Sequence, residues 1–547
     1  MRSENGQRIA KPRKFQKVMK RNHLEVIVIF ITLSYMFMKT DQQFRTLYLF
    51  CSTLLFWFIG TFNLVHVNRL PFCARSSSSD HGLCLSLIIV PLVFMSQNST
   101  GRIENTCLLT SLLLIIALLI FIIILEILQK FQIHRDFVLI CSLVGTLLAI
   151  YIFIINGFTR LDYFEHVFPS ISYQYSVPFL SKFVSASFHY RVLHLVILIG
   201  LIFLVALFLL RTIPLSFSIG ESFLISETIV LFMDEVIGVV FHYYSSPKEL
   251  ECWTLTTAIG IVVLLPWTGR LNFSPSQNAN MQLLHYFHLS VSVFLGYAFL
   301  TVTLHCEPIS WLMHFIQISE QRIYLFIFWA VLLALSVIIT AFVSHRTVAK
   351  RSRKVYHFLI TMTFYAGIIV DSEFTLLASA GCLYLFFVIE FIRMHKLFPF
   401  GGVLDSILST FTDYQDSGPM ILTPIYLLVG VSFPLWVHQL NLKRIHLSIF
   451  SGVLSVGIGD AVAAIYGVRF GMMKIPNSSK TFDAAVAAAI CELVFVYLLS
   501  LNDVYLVVSL QDVIFAIFIT QLLEALTLQI DNLVLAPFLY SILEILS

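Results

Sequence analysis

The sequence predicts an all-α protein, a polytopic transmembrane helical bundle of about 15–17 spans. Of its 547 residues, 58% are hydrophobic and only 12% are charged, whereas a soluble domain is about 45–50% apolar and about a quarter charged. Apolar runs near the bilayer-spanning length of about 20 residues recur along the whole chain. These runs lack the two-residue alternation of barrel strands, so helices must satisfy their backbone groups. A soluble enzyme is excluded.

The predicted spans are rich in Leu, Ile, Val and Phe and are separated by short polar loops. They lie near residues 24–39, 46–65, 83–97, 107–128, 137–155, 192–210, 217–241, 252–269, 288–306, 323–343, 355–371, 374–394, 419–437, 447–466, 484–500, 504–524 and 533–546. The character of the chain changes near residue 344, because polar residues beyond it fall in compact groups at span ends. We therefore expect a basic tail (1–22), an N-terminal multi-span hydrophobic bundle (23–343) and a C-terminal unit (344–547) that carries the chemistry.

Two basic segments set the expected orientation. Eight Lys or Arg residues lie in positions 1–21, and five more lie between Arg346 and Lys354. The positive-inside rule places such segments in the cytosol, and the even number of predicted spans between them agrees. The net charge is only +3, so no nucleic-acid partner is expected. The nine cysteines form no CxxC pair and suggest neither a disulfide framework nor a zinc site.

Two polar groups follow the second basic segment. Arg353, Lys354 and His357 lie at the cytosolic mouth of a span, where they either anchor the helix end or face a substrate. Glu390 and Arg393 end the next span, and their (i, i+3) spacing favours a simple ion pair. The loop after them holds further polar residues: Asp413, Asp416, Ser417 and Gly418, before Pro419. This sequence is typical of a helix start.

The most informative group surrounds Asp460, an ionisable residue inside an apolar span, which by default indicates function. Small residues follow it on one helical face, at Ala464, Gly467 and Gly471. Such a stripe is also a common helix-packing face. Three basic residues, Arg469, Lys474 and Lys480, follow Asp460 in the adjoining segment, however. A carboxylate together with cations and glycines favours a site for a polyphosphate and its Mg²⁺ ion. Thr481 is expected to cap the helix that follows, with Asp483 in its first turn.

A last group lies near the C-terminus. Glu524 and Asp531 are seven residues apart, so two helical turns place them on one face. They either provide a second metal contact or are ordinary boundary residues. The span count puts all four groups on the cytosolic side of the membrane.

At these residues the sequence resembles the CTP-dependent lipid kinases, and among them the dolichol kinase family. The resemblance is carried by Arg353-Lys354-x-x-His357, Glu390-x-x-Arg393, Asp416-Ser417-Gly418-Pro419, Gly457-x-Gly459-Asp460, Lys480-Thr481-Phe482, Glu524-Ala525 and Gln529-Ile530-Asp531-Asn532-Leu533. It implies that the C-terminal unit is a CTP-dependent lipid kinase domain in the endoplasmic reticulum membrane. Such an enzyme moves the γ-phosphoryl group of CTP to dolichol, giving dolichyl phosphate for protein glycosylation.

The resemblance also implies site residues. The expected CTP-binding residues are Gly457, Gly459, Gly467, Val468, Arg469, Phe470, Gly471, Lys474, Pro476, Ser479, Lys480, Thr481, Phe482 and Asp483. We expect Asp460 to hold Mg²⁺ and Lys480 to contact phosphate, and either Asp416 or His357 to accept the lipid hydroxyl proton. Further candidate site residues are Arg353, Lys354, Glu390, Arg393, Ser417, Gly418, Glu524, Asp531 and Asn532.

The chain departs from the family pattern at two places: Asp483-Ala484 replaces the usual Glu-Gly, and Ser479 replaces a second lysine that is common in relatives. If that acid contacts metal or nucleotide, the shorter Asp would lower the rate. Three rival functions stay open. A CTP:phosphatidate cytidylyltransferase would release pyrophosphate rather than CDP. A transporter would spread its polar groups across the bilayer depth. An inactive homologue would bind membrane lipids without catalysis.

Overall fold

The computed structural model confirms the all-α class for the residues it describes. These are 12–39, most of 197–240, parts of 252–264, 279–342, 346–408, 418–438, 445–475, 480–527 and 530–547, with short breaks, and positions 89 and 93. The predicted spans 46–65, 107–128 and 137–155, and nearly all of 83–97, lie outside these residues. Within the described part, extended backbone pairs only at an isolated bridge between Lys474 and Thr481.

The helices are numbered here in chain order. They are α1 (Pro12–Lys39), α2 (Ile219–Val240), α3 (Ala279–Leu304), α4 (Pro308–Gln317), α5 (Glu320–Phe342), α6 (Arg346–Val370), α7 (Ser372–Met394), α8 (Gly401–Leu408), α9 (Thr423–Val437), a 3₁₀ turn (Leu447–Phe450), a π-helical stretch (Val453–Gly459), α10 (Asp460–Phe470), α11 (Phe482–Ser500), α12 (Leu510–Leu526) and α13 (Asp531–Ile545). A shorter apolar helix, Gly200–Arg211, precedes α2.

Five helical stretches of the described chain are long and apolar enough to cross a membrane. They are Gln282–Leu304, Glu320–Ile339, Ser372–Met394, Leu447–Phe470 and Phe482–Ser500. Each matches a predicted span, which confirms a multi-pass membrane protein. Helix α6 begins nine residues before its predicted span. The span was predicted from apolar residues alone, whereas the Arg and Lys residues before it also favour helix. Two short helices, α4 and α8, were not predicted at all.

Helix α9 begins later in the chain than predicted. The expected start at Pro419 is wrong, because α9 begins at Thr423 after the non-capping residue Leu422. The preceding backbone is held by other partners: the Pro419 carbonyl accepts from Arg393 Nη2 at 2.6 Å, and Ile421 N donates to Glu390 Oε1 at 2.7 Å. Residues 419–421 therefore make contacts with α7 instead of the first helical turn.

Helix α13 lies at the centre of the C-terminal unit. All its residues from Leu533 to Ile545 are buried, and it packs against α9, α12 and the π-helical stretch. Its far end is fixed by Glu544, whose Oε1 lies 3.3 Å from His438 Nδ1 at the end of α9. Asp531 begins α13, and the separation of 13 positions between the two acids corresponds to about 20 Å of helix. The helix thus joins two polar sites at opposite ends of the bundle.

The N-terminal helix also reaches this unit. Tyr35 Oη donates a 2.6 Å hydrogen bond to Asp512 Oδ1, and Lys39 Nζ lies 3.2 Å from the same oxygen. The Tyr35 ring stacks on Phe515 with ring centroids 3.8 Å apart. Helix α1 is therefore packed directly against α12.

Candidate active site

The central element of the site is a helix that changes its hydrogen-bond pattern. The span Leu447–Phe470 begins with a 3₁₀ turn, continues as a π-helical stretch and becomes α-helical at Asp460. Two of its glycines allow neighbours to come unusually close. A Cβ on Gly457 would lie within 3.0 Å of Thr361 Oγ1, and one on Gly459 would lie equally close to Glu492 Oε1 and Gln521 Nε2. Such π-helical insertions are frequent at functional sites.

Three carboxylates meet where the π-helical stretch ends. Asp460 begins α10, Glu524 lies near the end of α12 and Asp531 begins α13. Each offers an oxygen, and these oxygens all lie within 4.8 Å of one another. Glu524 is buried, whereas Asp460 and Asp531 are partly exposed. We call these residues the carboxylate cluster; its oxygen donors are the kind that Mg²⁺ prefers.

Lys480 neutralises part of this charge. Its Nζ donates to Glu524 Oε1 at 2.5 Å, to the Glu524 carbonyl at 2.7 Å and to Asp531 Oδ2 at 3.0 Å. Burial by itself lowers the pKa of Lys480, but the negative charges of Asp531 and Glu524 outweigh it and hold the pKa above its ordinary value. Lys480 is therefore a permanent cation beside the carboxylate cluster.

His357 of α6 reaches the same place from the opposite side. Its Nδ1 lies 3.1 Å from the Val456 carbonyl and 3.3 Å from Asp460 Oδ2. A carbonyl only accepts, so Nδ1 carries the proton. Nε2 is then the basic nitrogen of the ring.

The predicted CTP-binding loop starts as a narrow hairpin. Ile475 N donates to the Lys480 carbonyl at 3.1 Å, and Phe482 N donates to the Met473 carbonyl at 2.8 Å. The side chains of Arg469 and Lys474 are exposed, and so are Val468 and Phe470. Two cations therefore flank the hairpin on its outer side.

Thr481 and Asp483 lie where they are expected, at the N-cap position and in the first turn of α11, but the expected capping bond is absent. Asp483 lies in the first turn of α11 and its Oδ2 accepts a 2.7 Å bond from Met472 N, so it closes the hairpin. Thr481 occupies the N-cap position, but the expected capping bond is wrong, because its side chain makes none. Ala484 packs against Gly467, on which a Cβ would lie at an ordinary 3.4 Å. The Asp-Ala pair thus fits this loop without a clash.

Glu390 and Arg393 form the ion pair that their spacing favours. Arg393 binds Glu390 through two nitrogens, at 2.7 and 2.8 Å, and Asp405 Oδ1 through a third at 2.9 Å. With its bond to the Pro419 carbonyl, this arginine joins α7, α8 and the loop before α9. These contacts give the pair a structural role.

The remaining predicted residues are placed as follows. Gly418 lies against Ser216, because a Cβ on it would come within 3.0 Å of the Ser216 backbone. Asn532 follows Asp531, and its carbonyl faces Gly430 of α9 at similarly close range. Arg353 and Lys354 lie on α6. Asp413, Asp416, Ser417, Pro476 and Ser479 lie outside the described residues.

Two buried residues at the site were missed. Glu492 of α11 accepts a 2.5 Å hydrogen bond from Gln521 of α12, and both are less than 2% exposed. They lie against Gly459, one residue before Asp460. An acid within the apolar run of α11 was the available signal, because ionisable residues inside spans are rare and usually functional.

The sequence model of a family described as Dolichol kinase matches residues 181–476, a range that includes His357 and Asp460 and ends before Lys480. The chain is 31% identical to mouse dolichol kinase over 353 residues, which are 60% of this chain and 66% of that protein.

More distant relatives agree. The human dolichol kinase is 30% identical over 60% of this chain and 65% of its own length. The fission yeast protein, dolichol kinase sec59 of Schizosaccharomyces pombe, is 30% identical over 42% of this chain and 48% of its own. The matches therefore span just under two thirds, or less, of each relative. No solved structure matches.

Proposed function

The chain belongs to the dolichol kinase family, and on that basis we propose that it transfers the γ-phosphoryl group of CTP to dolichol. The products are dolichyl phosphate and CDP, and the reaction takes place at the cytosolic face of the endoplasmic reticulum membrane, in service of protein glycosylation. The observation that carries the proposal is the convergence of Asp460, Glu524, Asp531, Lys480 and His357 from separate parts of the chain. Phosphoryl transfer needs little more from a protein than positioning and charge stabilisation.

The carboxylate cluster fits a divalent cation. Its donors are carboxylate oxygens from three helices, already within 4.8 Å of one another, which is the ligand chemistry of Mg²⁺. Asp460, Glu524 and Asp531 would hold the ion. A bound Mg²⁺ would offset the negative charge of the phosphoryl oxygens.

The protein's own cations bind the nucleotide. Arg469 and Lys474 are exposed beside the hairpin and pair with the triphosphate. Lys480 keeps its charge beside Glu524 and Asp531, so it balances the carboxylates and contributes to phosphate binding at the same point. Asp483 holds the hairpin that carries Lys474 and Lys480.

His357 is the proposed acceptor of the dolichol hydroxyl proton. Its Nδ1 is oriented by the Val456 carbonyl and Asp460, an arrangement that fixes the tautomer and leaves Nε2 to take the proton. The alternative acceptor, Asp416, lies outside the described residues.

The test uses purified protein, dolichol and CTP labelled at either the α or the γ position. We expect γ label in the lipid, and loss of at least about a hundredfold in rate for Asp460→Asn. Glu320→Gln, an exposed acid at the start of α5, is the matched control and should keep full activity. Transfer of α label would favour a cytidylyltransferase, and no transfer of either label would favour a transporter or an inactive homologue.

A further inference from the structure

An apolar cavity of about 170 Å³ lies between the helix Gly200–Arg211 and helices α2, α7 and α9. Its wall includes Leu209, Ile225, Leu383, Phe387, Val429 and Leu533. The cavity is separate from the carboxylate cluster, and the proposed chemistry does not use it.

Three polar groups in the cavity wall are hydrogen-bonded to other protein atoms. The Thr228 hydroxyl donates to the Leu224 carbonyl at 2.8 Å, and the Thr257 hydroxyl donates to the Ala380 carbonyl at 3.2 Å. The Trp436 indole donates to Ser379 Oγ at 2.9 Å. These bonds satisfy the groups within the protein, so the wall selects for hydrocarbon.

One end of the cavity reaches the first turn of α13. Leu533 lines the cavity and is two residues from Asp531, about 3 Å along the helix axis. Val429 lines it from α9, and the next residue, Gly430, is in close contact with the Asn532 carbonyl. The cavity therefore touches the same first turn of α13 that begins with Asp531.

The size of the cavity limits its occupant. An apolar cavity of about 150 Å³ holds one benzene molecule, and a five-carbon isoprene unit is of similar size. A cavity of about 170 Å³ thus accommodates one unit of an isoprenoid chain.

We propose that this cavity binds a segment of the isoprenoid chain of the lipid substrate and so places the hydroxyl end at the carboxylate cluster. The inference rests on the proposed function, since it assigns the position of the lipid in the same reaction. It also assigns lipid binding to residues that lie outside the carboxylate cluster. The family match begins at residue 181, and Leu209 and Ile225, on the N-terminal side of the cavity, lie within it.

The first test fills the cavity. Ile225→Trp should raise the KM for dolichol about tenfold or more, because hydrophobic pockets discriminate on that scale. Val331→Phe, at a position on α5 that is 61% exposed, is the control. An unchanged KM for dolichol, or an equal rise in the Val331→Phe control, would overturn the proposal.

The second test uses the wild-type protein and needs no variant to fold. A polyprenol with a photoreactive diazirine near its hydroxyl end should label residues of α2, α7 and α9. Labelling confined to α3 and α5 would overturn the proposal. A wild-type protein that phosphorylates no alcohol would refute the proposed function instead, and the labelling pattern would still decide where the isoprenoid chain binds.

Discussion

Removing the Lys480 cation should destabilise the carboxylate cluster and make the protein depend on divalent cations for stability. The perturbation is Lys480→Met, which keeps an unbranched side chain only one atom shorter and deletes its charge. Three carboxylates would then remain within 4.8 Å of one another. We expect the fold to survive but to melt at lower temperature.

The magnitude follows from the distances. With an effective dielectric constant of about 20, two carboxylates 4.8 Å apart repel each other by about 3.5 kcal/mol. Lys480 lies 2.5 Å from Glu524 and 3.0 Å from Asp531, and 29% of its side chain is exposed. Breaking a fully buried pair costs about 3–5 kcal/mol, and the partial exposure reduces that cost. We therefore expect a loss of about 2–4 kcal/mol of stability.

The assay is thermal unfolding of the purified protein in detergent, with and without millimolar MgCl₂. Magnesium should raise the melting temperature of Lys480→Met more than that of the wild type, because the variant has more uncompensated negative charge. Lys474→Met removes an exposed lysine from the same hairpin and should melt like the wild type. Equal melting temperatures for Lys480→Met and the wild type, with equal responses to magnesium, would refute the reasoning.

The remaining predictions concern the surroundings of the site. Gly459→Ala should strongly reduce the yield of folded protein in fluorescence-detected size exclusion, whereas Gly467→Ala should be tolerated. Of the two positions, only Gly459 would place a Cβ within 3.0 Å of its neighbours. Equal yields for the two variants would contradict this packing. Arg393→Lys should lower the melting temperature, and magnesium should not restore it, because lysine cannot reproduce the two-nitrogen contact with Glu390. A melting temperature equal to that of the wild type would count against the structural role of Arg393. His395, outside the membrane spans, has its pKa lowered to about 3, mainly by burial and then by His285. Below about pH 6.5 the unfolded chain takes up a proton on His395, while the folded chain does not. The free energy of unfolding should therefore fall by about 1 kcal/mol as the pH drops from 6.5 to about 5.5. His395→Phe should flatten this pH dependence, and an unchanged dependence would exclude His395 as its cause.

The sequence predicted individual polar residues of the site better than their partners. Asp460 and Lys480 stand out because charged residues are costly within or beside apolar spans. Glu492 was passed over although it lies inside a span, because the chain nearby offers no charge with which to group it. Its partner Gln521 is 29 residues away, and only tertiary packing brings the two together. Sequence patterns report side-chain polarity along the chain, not distances between helices.

Local backbone detail was predicted least well. The π-helical stretch before Asp460 has the same apolar composition as an ordinary span. Its altered hydrogen-bond pattern therefore cannot be predicted from the sequence. The family position at Asp483 suggested contact with metal or nucleotide, whereas its carboxylate binds Met472 N. The start of α9 was misplaced because Pro419 is a common first helical residue, and the competing contacts with Arg393 and Glu390 are non-local.

The contacts at the two polar ends of α13 limit how this helix can move. A sliding or rotating α13 would have to break the Lys480–Asp531 contact at one end and the His438–Glu544 contact at the other. Both ends of α13 are thus held by polar contacts. Any rearrangement of the bundle would therefore move the helices around α13 more readily than α13 itself.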